Sequence, residues 1–202
     1  MTLLHVPVPV AAAAYVAEPV FRLTVDQYHT MIDRGILTPD DRVELIEGIL
    51  VYRMSKNPPH VFCNEQVARA LLALLPAGHF LFRQDPITLE DSEPEPDIAV
   101  ICGDTNDFRG RHPNASEVQM VVEIAESSLL IDRGIKRRAY ARAGIACYWI
   151  VNLNDRVIEV HTDPDATGPA YCTQQVYAID TKVAVVIAGQ TVGEIAVADV
   201  LP

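Results

Sequence analysis

Residues 121–140 read VVEIAESSLLIDRGIKRRAY, and the fold turns on how this stretch divides. Its first half, Val121-Val122-Glu123-Ile124-Ala125, is a β-branched run of the kind that forms a strand buried on at least one face. A carboxylate there is costly unless a cation or hydrogen-bond donors meet it. The second half carries helical spacing: Asp132, Lys136 and Tyr140 stand at i, i+4 and i+8, on one stripe. Residues 146–153, ACYWIVNL, form the next apolar strand. Strand 118–125, helix 128–143 and strand 146–153 have the length of a βαβ unit, which makes the two strands parallel. A strand presenting an acid, followed by a helix presenting a lysine, marks a candidate site. A second acid stands upstream in Pro96-Asp97.

Working towards the N-terminus, residues 97–102 (DIAVIC) read as a strand with an acid at its mouth, entered through the acidic, proline-marked run 90–96. Proline is tolerated at the first position of a strand. Residues 79–83 and 87–90 read as short strands. The polar loop 103–117 is long enough to be a lid or binding loop. Residues 58–75 read as a helix with a broad apolar face that includes Val61, Val67, Leu71 and Leu72. His60 lies in its first turn, either exposed or part of a site. Residues 42–54, RVELIEGILVYRM, read as a hairpin turning at Glu47-Gly48. Glu44 in its first arm is either a solvated strand residue or a further acid of the site. Thr24 caps a helix through residue 34, and Gly35 ends it.

Beyond the central unit, residues 156–161 pair back as a hairpin, 171–179 and 182–187 add strands, and 195–202 read as a packed apolar tail. The expected architecture is α/β, a mixed sheet flanked by helices, with an N-terminal helix and β-hairpin. Residues 1–22 are expected to form an apolar arm and residues 23–202 one domain. The arm lacks the basic start of a signal peptide, and Pro7 and Pro9 interrupt it.

The totals narrow the function. With 202 residues, half apolar and 21% charged, the chain is ordinary for a soluble protein. No apolar run reaches the roughly 18 residues of a membrane span. The four cysteines, Cys63, Cys102, Cys147 and Cys172, form no C-x-x-C pair, which argues against zinc and for a reducing, cytoplasmic setting. Three of them sit in runs that look buried. A net charge of −11 argues against a general DNA binder, because such affinity comes mostly from cations on phosphate. It leaves room for a local basic patch, here Arg133, Lys136, Arg137, Arg138 and Arg142, or for metal ions at an acidic site. For Arg138 and Arg142 the expectation is a solvated face paired with nearby acids.

Two acids at neighbouring strand ends suit a hard cation such as Mg²⁺, which takes one or two carboxylates, and the Ile124 carbonyl could add a ligand. A nearby lysine would orient water or stabilise transition-state charge. Those parts suffice for phosphodiester hydrolysis. The ordered set of Val43-Glu44-Leu45-Ile46-Glu47-Gly48, Pro59-His60, Pro96-Asp97, Val122-Glu123-Ile124, Asp132, Lys136, Tyr140, Gly144 and Tyr148-Trp149-Ile150-Val151 resembles the Uma-type family of putative restriction endonucleases. The resemblance runs from about residue 23 to residue 200 and implies a restriction-endonuclease-like core of the PD-(D/E)xK type.

It further implies a Mg²⁺-dependent endonuclease acting on DNA, with Mn²⁺ as the alternative ion. Asp97, Glu123 and Ile124 would hold the metal, and Lys136 and Glu44 would complete the catalytic set. Arg133, Arg137, Tyr140 and His60 are expected to contact substrate, and Asp132 to pair with Lys136 and hold it. Ala125 stands where the usual pattern has its lysine, so Lys136 would substitute if its helix packs on that side. Glu126, where the family has an aliphatic residue, adds negative charge of undetermined role. The apolar arm and the need to cut two strands suggest a homodimer. The alternative is a nuclease-like fold that binds or assembles without cleaving.

Overall fold

The computed structural model describes residues 20–165 and 167–202. The apolar arm and the signal-peptide question fall largely on residues 1–19, outside the described residues.

Six strands form the main sheet: β3 (His79–Phe82), β4 (Ile98–Cys102), β5 (Val118–Ala125), β6 (Cys147–Asn152), β7 (Val157–Pro164) and β8 (Tyr171–Ala178), side by side in chain order. Only β5 and β6 are parallel, with Glu123 opposite Ile150 and Ile124 opposite Val151; the other neighbours are antiparallel. The parallel pair follows from the helical crossover between them, since a parallel return needs a connection of about a dozen residues or more. The sheet is therefore mixed and flanked by helices.

Alternation along β5 assigns its side chains to two layers. Met120, Val122 and Ile124 face a core shared with α2 (Pro58–Leu74), the β9–β10 hairpin (Lys182–Ile187 and Gln190–Ala196) and α5 (Val197–Val200). Val121, Glu123 and Ala125 face the other side, where Tyr140, Tyr148, Ile150 and Ile46 pack. That side is covered by the crossover helix and by the small sheet β1 (Val43–Ile46) and β2 (Ile49–Tyr52). Glu123 is thus a carboxylate under a helix and not at a solvent edge.

The local elements follow their sequence signals at several points. Thr24 caps α1 (Val25–Asp33) in a reciprocal box with Gln27. Glu47 and Gly48 both take positive φ, the requirement of a two-residue hairpin turn. A side chain on Gly48 would also strike the backbone of Leu23 and the side chain of Arg22. Asn57 caps α2, and prolines occupy its first turn.

Other expectations are corrected. Residues 87–90 form no strand: the N–H groups of Ile87, Thr88 and Leu89 are taken by Pro94, Pro113 and Ser92, which folds the segment into loops. The apolar face of α2 is narrower than expected, because Val61 and Leu72 are exposed. Residues 190–196 form β10, a strand that was not expected, while the expected packed tail at 195–202 is buried through Ile195, Val197, Val200 and Leu201; Gly193 sits at a bulge where a Cβ would lie 2.5 Å from Leu74 Cδ2. Of the cysteines, Cys63 and Cys147 are buried and Cys102 and Cys172 exposed, all as free thiols.

The crossover is not one uniform helix. A short α3 (Leu129–Ile131) passes through a π turn at Asp132–Lys136 into α4 (Arg137–Arg142). The wider turn shifts Asp132 relative to Lys136, so the two do not form the expected i, i+4 ion pair. Among the described residues no helix is long and apolar enough to cross a membrane.

Candidate active site

The carboxyl end of β5, the entry to β4, the arm β1 and the π turn meet at one end of the sheet. Their side chains line a cavity of about 390 Å³ that includes Glu44, Asp97, Glu123, Ile124, Asp132 and Lys136. Here the structure brings together the expected acids and the expected lysine.

Lys136 lies at the centre. Its Nζ is 2.9 Å from Glu123 Oε1 and 3.0 Å from Glu44 Oε1. An ammonium has three donors, so one is left for a water or a phosphoryl oxygen. The ammonium reaches Glu123 from the helix on the Ala125 side of β5, where the usual lysine is missing. Tyr140 donates to Glu123 Oε1 at 2.8 Å. Glu44 is buried, not solvated, and its Oε2 accepts the Glu95 N–H at 2.9 Å. This contact is set up by the acidic run, which lies along β1 through the Glu93 N–H to Leu45 carbonyl bond.

Asp97 is held from two directions. Its Oδ2 accepts the Ile124 N–H at 2.9 Å and lies 3.1 Å from His60 Nε2, while Oδ1 meets only Lys56, at 3.6 Å. His60 is positioned by the Asn57 cap and is a neighbour of the acid, not an exposed first-turn histidine. Because the N–H and C=O of a strand residue point to the same edge, the Ile124 carbonyl also points past the end of β4. The Ala125 carbonyl points the opposite way and accepts Leu153 N–H.

The electrostatics reflect one ammonium shared among several acids. Burial pushes the Glu123 carboxyl up to about 8; Lys136 opposes this, while Asp132, Asp97 and Glu44 add to it. Burial likewise raises Asp132 to about 6, and its Oδ2 has no hydrogen-bond partner among the described residues. Burial would lower Lys136, but Glu123, Glu44 and Asp132 outweigh it and hold the ammonium well above its ordinary range. Asp97 shows the reverse balance: burial raises it, and His60, the Ile124 N–H and Lys56 together bring it below the ordinary carboxylate value.

Among the described residues Glu123 Oε2 and the Ile124 carbonyl are left as oxygen donors without a hydrogen-bond partner, and Asp97 Oδ1 has only Lys56, at 3.6 Å. Such a set fits a hard cation. No three His, Cys, Asp or Glu side chains among the described residues converge as a complete cage. Mg²⁺ does not require one, since it keeps much of its water. The unpartnered Asp132 Oδ2 adds to the negative field that favours a cation.

The expected substrate contacts divide differently. Arg133 is bound to Glu159 and Arg138 and Arg142 to Glu47, with Arg142 also on Asp91, so these cations are neutralised away from the cavity. Arg137 does not line the cavity, and Tyr140 is sealed from solvent behind Glu123. The loop 103–117 joins the opposite ends of β4 and β5 and also stays clear of it. Glu126 lines the cavity and accepts a hydrogen bond from the Asn57 amide. Besides Lys136, the cations at the cavity are Arg42, Arg53 and Lys56, which the sequence reading missed. They flank or follow the β1–β2 hairpin, and isolated basic residues of this sort carry no periodic signal.

Comparison with known proteins agrees with this architecture. No curated protein matches. Among solved structures, a nuclease-type protein from Anabaena variabilis, titled a "putative nuclease belonging to DUF820", superposes with a TM-score of 0.67 at 14% identity, over 88% of this chain and 97% of the other. At that identity the likeness concerns the fold. The model of the Uma2 family, described as "Putative restriction endonuclease", matches residues 25–196. This chain, with its acids at the entry to β4 and on β5 and its lysine on the crossover helix, belongs to the Uma2 family.

Proposed function

We propose that the protein is a metal-dependent endonuclease that hydrolyses DNA phosphodiester bonds at the Asp97–Glu123–Lys136 cavity. The observation that carries this reading is a set of oxygens not taken by hydrogen bonds, Glu123 Oε2, the Ile124 carbonyl and Asp97 Oδ1, the last met only by Lys56 at 3.6 Å, beside a buried ammonium with a donor to spare. Mg²⁺, or Mn²⁺ in its place, would sit on those oxygens. When bound it lowers the pKa of water and offsets phosphoryl charge.

The chain's own groups supply the rest. Lys136 orients water or an anionic oxygen through its free N–H and stabilises charge that develops there. Glu44 also binds the ammonium, at 3.0 Å, and limits its movement. His60 and the Ile124 N–H fix the rotamer of Asp97, which leaves Oδ1 directed at the cavity. Without a cation the acidic lining would repel a phosphate, which is a physical reason for the metal.

A second reading, a nuclease-like fold that binds without cleaving, is favoured by one observation: Lys136 is tied by two carboxylates at once. Isothermal titration of Mg²⁺ and Mn²⁺ into wild type and Asp97→Ala separates the two. The nuclease reading expects one binding site that disappears in the variant. Absence of heat for either ion, repeated with a short duplex present, would favour the binding module.

A further inference from the structure

The residues at the mouth of the cavity differ in kind from those at its floor. Glu123, Asp97 and Lys136 are 4%, 6% and 7% exposed, so a reacting phosphodiester must come down to them. The mouth on the hairpin side carries Tyr52, which is 75% exposed, and Met54, also exposed, with Arg42 and Lys56 beside them. Arg53 between them is committed to Glu95. Arg42 takes a left-handed conformation at the start of the hairpin, and its guanidinium donates to Ser55 3.3 Å away, which steadies it along the rim.

We propose that this rim is a stacking platform for an unpaired nucleic-acid strand: one base rests on the Tyr52 ring, and the adjoining phosphates lie on Lys56 and Arg42. The proposal rests on the nuclease reading for the floor of the site and specifies the form of substrate that reaches it. Three observations support it. A large aromatic ring left in water beside cations, here Arg42 on Ser55 and Lys56 no nearer than 3.6 Å to Asp97 Oδ1, is the arrangement that holds single strands without regard to sequence, because every base has a face to stack. The cavity, at about 390 Å³, is near the low end of pockets that enclose one small ligand, which suits a nucleotide. Lastly, a duplex tracked along the surface would need a run of free cations. Arg133, Arg138 and Arg142 are neutralised by acids, in a chain of net charge −11.

Tyr52 packs in no buried cluster, so its removal leaves the core intact. The test is fluorescence anisotropy with a short fluorescein-labelled oligothymidylate and its duplex with oligoadenylate, at fixed ionic strength with Ca²⁺ in place of Mg²⁺. Wild type should bind the single strand about tenfold or more tighter than the duplex. Tyr52→Ala should weaken single-strand binding about tenfold, Tyr52→Phe should restore it, and Lys56→Ala should reduce the salt dependence by about one phosphate contact. Duplex binding as tight as single-strand binding would overturn the proposal and leave the nuclease reading standing. So would a Tyr52→Ala protein that binds like wild type, or one altered only in oligomeric state by ultracentrifugation. Failure of wild type to bind either form would overturn both. Tyr52-dependent binding without cleavage in Mg²⁺ would support the platform while removing the nuclease reading.

Discussion

Replacing Glu123 by glutamine should stabilise the metal-free protein, and increasingly so as the pH rises. Glu123 is buried, and its carboxyl holds its proton up to about 8, against an ordinary value of 4.5. Below about pH 4.5 the acid is protonated in both the folded and the unfolded chain, and no stability is lost. Between 4.5 and about 8 the unfolded chain releases the proton while the folded chain keeps it, so wild type loses stability across that window and levels off above it. At ~1.4 kcal/mol per tenfold difference in proton affinity, the full loss is on the order of 4 to 5 kcal/mol. Glutamine has the shape of the protonated acid, and its carbonyl can still accept from Lys136 and Tyr140. It has no proton to lose. Asp132, with its own raised value of about 6, titrates in both proteins and drops out of the difference. Urea unfolding in EDTA at about pH 5, 7 and 9 measures the gap. It should be under ~1 kcal/mol at the lowest pH, on the order of 3 kcal/mol at neutrality, and 4 to 5 kcal/mol at the highest. A gap that does not change with pH, or a wild type that is the more stable at high pH, would refute the reasoning. It would mean that the ion pair with Lys136 fully compensates a charged Glu123.

Further outcomes follow from the same geometry. Lys136→Met leaves the buried Glu44 without its ammonium, so at neutral pH it should cost about 3–5 kcal/mol in urea unfolding and abolish cleavage. Arg138→Ala removes a half-exposed pair with Glu47 and should change stability by less than ~1 kcal/mol, with cleavage unaltered. Gly193→Ala forces a Cβ against Leu74 at the β10 bulge and should lower stability by about 1–3 kcal/mol, seen as a shift in urea midpoint, far from the cavity.

Much of the frame was legible because its signals are local. The β-branched run at 118–125, the apolar run at 146–153 and the helix-length spacer between them were sufficient for a parallel pair, and Glu47-Gly48 for a hairpin. The side of β5 occupied by Lys136 follows from strand alternation together with the helix covering that face. What stayed hidden depended on long-range packing. The π turn separates Asp132 from Lys136, and nothing in DRGIK announces it. β10 has exposed Gln190 and Thr191, and a glycine whose Cβ position is occupied by the Leu74 side chain. The arginines of the crossover helix form a basic cluster in sequence, and only the fold shows that Glu47, Asp91 and Glu159 neutralise three of them. Arg42 and Lys56 come to the cavity by the path of the chain around a hairpin, which no periodicity records.

The most direct test of the central claim is cleavage of end-labelled DNA, offered single-stranded and duplex, by wild type, Asp97→Asn and Glu123→Gln, in Mg²⁺ and in EDTA. Strand scission by wild type that needs Mg²⁺ and is lost in both variants, each folded by circular dichroism, is the expected result. Scission that survives in EDTA or in either variant would contradict the account, as would wild-type protein that cuts neither form in Mg²⁺ or Mn²⁺.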